Sequence, residues 1–201
     1  PRHSSSRQLI YTLRENMLNK IYKASVNILL SLIVFLAILE ISFILYKSDK
    51  IYQMYSDNKV RKIYHQIIVA TGQSQDALPL VISSENIENA YNDGTKIVIY
   101  KGLIDSTDSW DEVAMVLGHE VAHGTLAHLD MLNEKSTNDD ISVLEGNADK
   151  MGAYYMMKSG YDICKGRQLY KRWRDNNGDA LTQNHPDYSY RYAQLNINCG
   201  D

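Results

Sequence analysis

Within LGHEVAHGTLAHL, residues 117–129, three of the chain's six histidines and one glutamate fall inside ten residues. Along an α-helix, residues four apart stand one turn above each other, so His119 and His123 can aim ring nitrogens at one point. That geometry suits a tetrahedral zinc ion. Glu120 sits about 100° round the helix from His119, where its carboxylate is poorly placed to bind the ion but can take a proton from a water beside it. On the other side, Val113, Leu117 and Val121 are spaced to bury against a core, leaving the histidine face to line a cleft. A histidine pair at this spacing also arises by chance, so a further ligand is the test. The downstream stretch LEGNADKMG supplies Glu145 and, one turn later, Asp149. Glu145 completes a set of two histidines and one glutamate with one position open, as catalytic zinc sites require. Asp149 can accept a hydrogen bond from the far nitrogen of a zinc histidine and hold its tautomer. The pattern implies one zinc ion (Zn2+) per chain.

Two rival metal patterns fail on inspection. HExxHxxGxxH needs glycine and histidine where Leu126 and Leu129 stand, and His128 reads as a helix packing position. A site inside a membrane span is excluded by Asp111, Glu112 and Asp130, which bracket the helix. The site therefore belongs to a soluble domain.

The elements that must carry these residues follow from periodicity. Residues 25–46, SVNILLSLIVFLAILEISFILY, are apolar apart from Asn27, Ser31, Glu40 and Ser42, and long enough to cross a hydrocarbon core, so they read as a transmembrane anchor contacting lipid. Before it, residues 1–24 form a tail in which Leu9, Leu13, Met17 and Ile21 recur every four positions, as in an amphipathic helix. Lysines and arginines flank the anchor almost equally and do not set its orientation. Residues 47–59 read as a linker and 60–201 as the metallopeptidase domain. Val60, Ile63, Tyr64, Ile67 and Ile68 share a helical face that Gly72 ends. LPLVIS and TKIVIYKG, separated by the turn-forming YNDG, predict a small antiparallel sheet. Ser109 with Glu112 has capping-box spacing for a helix reaching about Leu132, and further helices are expected over residues 140–158, 165–177 and 186–196. The fold class is α+β, mainly helical and zincin-like, behind one membrane helix.

A formal net charge of -3 gives none of the basic surface that phosphate neutralisation needs, so nucleic acid is not expected as a partner. Cys164 and Cys199 allow one bridge in an oxidising compartment, or two separate thiols.

NAYNDGTKIVIYKGLID, GHEVAHGTLAH, EGNADKMG, MMKSGYD and NHPDYSYR, spread in this order over residues 89–191, resemble segments of one family of zinc metallopeptidases. That family includes the type one CAAX prenyl proteases, the HtpX-type peptidases, the mitochondrial Oma-type protease and the periplasmic barrel-assembly-enhancing protease. The resemblance implies His119, His123 and Glu145 as zinc ligands, Glu120 as the base and Asp149 behind the ligands. It also implies that Asn89 and Ala90 sit on an edge strand that aligns an extended peptide. His185 and Arg191 would flank the cleft as catalytic residues, the first donating to the developing oxyanion and the second bracing that corner. A single candidate span speaks against the enclosed intramembrane chamber that prenylated substrates need, and places the chain nearest the single-anchor or periplasmic members. The expected activity is zinc-dependent endoproteolysis of extended, unfolded or membrane-associated protein substrates, in protein quality control, with the peptidase domain on a periplasmic or intermembrane-space side. The competing expectation is a catalytically silent zinc-containing chaperone or binding module of the same fold.

Overall fold

The apolar run of residues 25–46 is helical throughout and lies inside α1 (His3–Thr71). The computed structural model describes residues 3–74, 78–131, 137–178, 187–195 and 199. It divides into two units, Pro1–Tyr55 and Ser56–Asp201. In the first, the large apolar side chains from Ile28 to Leu45 are exposed, and by length and composition this helix can cross a membrane. The expected linker, residues 47–59, is helical as well.

In the second unit, Val60, Ile63, Tyr64, Ile67 and Ile68 are buried, so the last turns of α1 contribute the apolar face that their spacing predicts. The helix stops at Thr71, and Gly72, at φ +76°, takes the left-handed conformation that ends it. Ser159 and Tyr161 donate to the backbone and side-chain oxygens of Gln66, fastening this end to a later helix terminus.

The sheet comprises β1 (Leu80–Ser83), β2 (Ala90–Asn92) and β3 (Ile97–Tyr100), in the order β1-β3-β2. It is mixed, which corrects the antiparallel expectation: β1 pairs parallel with β3, and only β2 pairs antiparallel with it. The YNDG turn closes the β2–β3 hairpin, where Asp93 Oδ1 accepts from the backbone of Thr95 and Lys96. Residues 84–89 carry the chain from β1 past β3 to the far edge, so β3 returns between the two, running with β1. Three residues, AYN, are too few and too polar to announce β2 by alternation.

Helices α2 (Lys101–Ser106), α3 (Trp110–Thr125), α4 (His128–Met131), α5 (Asn138–Lys158), α6 (Ile163–Gly166), α7 (Gln168–Asn177) and α8 (Tyr188–Gln194) are the other helices among the unit's described residues. Ser109 caps α3 by accepting from Glu112 N. The reciprocal bond of a capping box is absent, because Glu112 accepts instead from Asp108 N and from Arg172 of α7. Helix α3 was expected to run to Leu132 but ends at Thr125, and Ala127 at φ 53° turns the chain before α4 begins. Every residue from Glu112 to Ala122 is buried. The helix is therefore central and not one-sided, as its Val113, Leu117 and Val121 stripe suggested. Thr137 and Asp140 form a complete capping box on α5. Where one helix was expected over residues 165–177, α6 and α7 are separate. Cys164 and Cys199 are bridged, tying α6 to the chain beyond α8.

Helices α3 and α5 cross at Gly118 and Gly152. A Cβ on Gly118 would lie 2.6 Å from the Gly152 carbonyl oxygen, and one on Gly152 would lie 2.6 Å from the His119 nitrogen. Only hydrogen at both positions allows this approach.

Candidate metal centre

The glycine contact sets Glu145 and Asp149, on α5, against His119 and His123, on α3. His119 Nε2 and His123 Nε2 are 3.0 Å apart, and they lie 3.3 and 3.2 Å from the two Glu145 carboxylate oxygens. Four ligands at zinc bond lengths near 2.0–2.1 Å in a tetrahedron are separated by about 3.3 Å. The three side chains thus form a group that could hold a metal ion, at the spacing zinc requires.

The ring protons point the same way. Asp149 Oδ1 lies 2.9 Å from His119 Nδ1, and Asp149 also accepts from Arg191 Nε at 2.8 Å, from the Arg191 terminal nitrogen at 2.6 Å and from the Tyr170 hydroxyl at 2.8 Å. Burial alone would raise the Asp149 pKa. The charge and hydrogen bonds of Arg191, with those of His119, overcome it and keep this carboxyl ionised well below the usual carboxylate range. An ionised carboxylate only accepts, so His119 Nδ1 carries the proton and Nε2 presents its lone pair to the centre. The second nitrogen of His123 meets His128, Nδ1 to Nδ1 at 3.1 Å. Burial, then the neighbouring His123, lowers the His128 pKa. A neutral His128 accepts the His123 Nδ1 proton, which turns the His123 Nε2 lone pair to the same centre. Two lone pairs and a carboxylate then face one another across about 3 Å, an arrangement that repels unless a cation or a proton joins them. For the metal-free protein the proton serves: burial lowers the His119 pKa, but bonds to Asp149 and Glu145 outweigh it and raise it to about 9.

Glu120 is 8% exposed and lines a cleft beside His119 together with Asn89, Ala90 and Arg191. Ala90 lies on β2, an edge of the sheet, and Asn89 precedes it. Tyr100 N donates to Asn89 O and Asp93 N to Lys96 O, so Asn89, Tyr91 and Asp93 turn their backbone groups toward β3. By alternation those of Ala90 and Asn92 turn away from it. The Ala90 N–H is held by the Asn89 side chain, and Asn92 Nδ2 donates to the Glu120 carbonyl at 2.8 Å, clamping β2 to α3.

Asn89, Ala90, His119, Glu120 and Arg191 thus line one cleft, His123 and Glu145 meet His119 beside it, and Asp149 stands behind His119, whereas His185 lies outside the described residues. Arg191 is 4% exposed, and its guanidinium donates to Asp149 and to the Tyr170 hydroxyl and lies 3.2 Å from His119 Nδ1. Three neighbours were not assigned to the site from sequence. Tyr170 carries no local signal. Asn92 read as part of a turn. His128 read as helix packing because its route to His123 depends on the left-handed Ala127.

The model of peptidase family M48 matches residues 55–138, a span that includes His119, Glu120 and His123 and ends before Glu145. The match supports the M48 metallopeptidase family, and the mainly helical fold with its small mixed sheet fits a peptidase domain of that kind. No curated protein matches the chain.

Proposed function

We propose that this chain is a membrane-anchored zinc endopeptidase acting on extended or unfolded polypeptide, with His119, His123 and Glu145 as the zinc ligands. The observation that carries the reading is the convergence of His119 Nε2, His123 Nε2 and Glu145 at 3.0–3.3 Å, with Glu120 beside them in an open cleft. Zinc bound there would polarise the scissile carbonyl and lower the pKa of an attacking water toward about 7. Glu120 takes the proton from that water and returns it to the leaving amine. The outward backbone groups of Ala90 and Asn92 pair with the substrate main chain, which reads extension more than side-chain identity. Asn89 releases the Ala90 N–H as the substrate arrives. Asp149, itself held by Arg191, keeps His119 in the tautomer that turns the Nε2 lone pair toward Glu145 and His123.

The exposed apolar helix supports an anchor in lipid. The Cys164–Cys199 bridge supports a periplasmic or intermembrane-space side. Backbone-directed binding favours a quality-control role.

The test is hydrolysis of a casein-like unfolded substrate. Glu120→Gln is expected to retain zinc and lose hydrolysis by at least about a hundredfold, the lower end for removing a general base. His123→Ala is expected to lose both. Unaltered turnover in Glu120→Gln would remove this residue from the mechanism, and absence of chelator-sensitive hydrolysis in the parent would favour the chaperone reading.

A further inference from the structure

The cleft that Glu120 and His119 line is lined as well by aromatic and aliphatic side chains. Its floor is Leu103 of α2 and Val116 of α3, which are 1% and 7% exposed. Val116 lies one turn before His119 and Glu120 on the same helix, so the recess opens directly onto the proposed base. Tyr170, Trp173 and Tyr188 form the wall, with ring centroids 6.0 Å apart for the first pair and 5.7 Å for the second. Among the described residues the whole cleft, its polar and apolar parts together, measures ≈ 150 Å³. At the rim stands Glu88, whose Oε1 accepts from Trp173 Nε1 at 2.6 Å and from the Ser106 hydroxyl at 2.9 Å. The aromatic wall is thereby oriented, and a negative charge sits at the mouth. The one guanidinium among the lining residues, Arg191, is neutralised by Asp149.

We propose that this recess is a specificity pocket that receives a bulky apolar side chain, such as phenylalanine, leucine or methionine, from the substrate residue next to the scissile bond, and rejects acidic ones. The proposal rests on the peptidase reading above. It adds side-chain selection to the main-chain pairing of β2: the strand holds any extended chain, and the pocket chooses where along it the bond is cut. Burial of an aromatic or branched aliphatic group against Leu103, Val116 and the ring wall supplies the attraction. A carboxylate would exchange water for the vicinity of Glu88.

The experiment uses the full chain, zinc-loaded, in detergent micelles, with a mixture of unfolded peptides whose cut sites are mapped by mass spectrometry. Phe, Leu and Met are expected at one position flanking the cut at least about tenfold more often than Ala or Gly, the discrimination a hydrophobic pocket supplies, with Asp and Glu depleted. Trp173→Ala should flatten this preference, and Val116→Phe should fill the floor and shift cutting toward Ala, Gly and Ser. An even distribution, or enrichment of acidic residues, overturns the pocket. A second arm measures binding, by fluorescence polarisation, of two labelled peptides differing only by Phe or Ala to zinc-loaded Glu120→Gln. About tenfold tighter binding of the Phe peptide is expected, and equal affinity overturns the proposal. If this arm discriminates while the parent protein cuts nothing, the pocket stands and the peptidase reading falls. Should Trp173→Ala fail to fold, the parent cut-site preference, Val116→Phe and the binding arm still decide.

Discussion

Asp149 accepts hydrogen bonds from His119, Arg191 and Tyr170 while 1% exposed, and through His119 it decides which nitrogen faces the candidate metal position. The same cluster makes the metal-free protein sensitive to pH. Its His119 pKa is raised from 6.5 to about 9, so the stability from the protonated ring is complete below about 6.5 and is lost as pH rises through 9. The Asp149 pKa is lowered, and its contribution fades only on acidification below the ordinary carboxylate range. Urea titrations in chelator should therefore show a falling midpoint between pH 6.5 and 9. With zinc bound, the metal takes the proton's place and the fall should vanish. On the other histidine, His128→Ala should weaken zinc binding by about 10–100-fold, the usual effect of losing a partner behind a metal ligand, with His128→Gln restoring part of it as an alternative acceptor. Competition against a chromogenic chelator measures this directly, and unchanged affinity in His128→Ala would show that His123 is oriented without it.

Between elements, the contact that matters is glycine against glycine. Gly118 and Gly152 let α3 and α5 approach until a Cβ on either would overlap backbone of the other. Backbone cannot swing aside as a flexible side chain can, so a methyl group here forces the helices apart. Glu145 and Asp149 lie within two turns of Gly152 on α5 and would move with it. Gly152→Ala is therefore expected to destabilise the domain by about 1–3 kcal/mol and to weaken zinc binding disproportionately, because ligand atoms spaced at 3.0–3.3 Å lose their common centre. Thermal melts with and without zinc check this. A variant that melts lower yet keeps full zinc affinity would mean that the helix crossing is not what sets the ligand spacing. The mixed sheet acts at the same scale: because β3 lies between β1 and β2, β2 is an edge strand among the described residues, and Asn92 pins that edge to α3 at Glu120.

Across the Ser56–Asp201 unit, the Cys164–Cys199 bridge closes a segment of 35 residues' separation that contains α7 and α8, and hence Tyr170 and Arg191. Loop-closure entropy for that length corresponds to about 3–4 kcal/mol of stability. Reduction under non-denaturing conditions should lower the unfolding free energy of the domain by that measure, read as a lower urea midpoint, and loosen the Arg191 contact with Asp149, read as weaker zinc retention against a chelator. An unchanged midpoint after complete thiol labelling would show that the bridge contributes no stability.

How far these features could be read in advance depended on the range of the interaction. The positions of His119, Glu120 and His123 follow from helical periodicity, because residues four apart are neighbours whatever surrounds the helix. Glu145 and Asp149 share a helix face for the same reason, and the apolar face from Val60 to Ile68, the cap at Ser109 and the long apolar helix were equally legible, each resting on contacts within a few residues. The tertiary structure alone decided what lies between those segments. Two glycines 34 positions apart bring α3 and α5 together, a left-handed Ala127 turns His128 back onto His123, and Tyr170 arrives at Asp149 from another helix. It also decided that β1 runs parallel to β3, and that both faces of α3 are covered. Local pattern specifies which groups an element presents, but the energy that joins elements comes from close packing between distant stretches of chain, which no single stretch encodes.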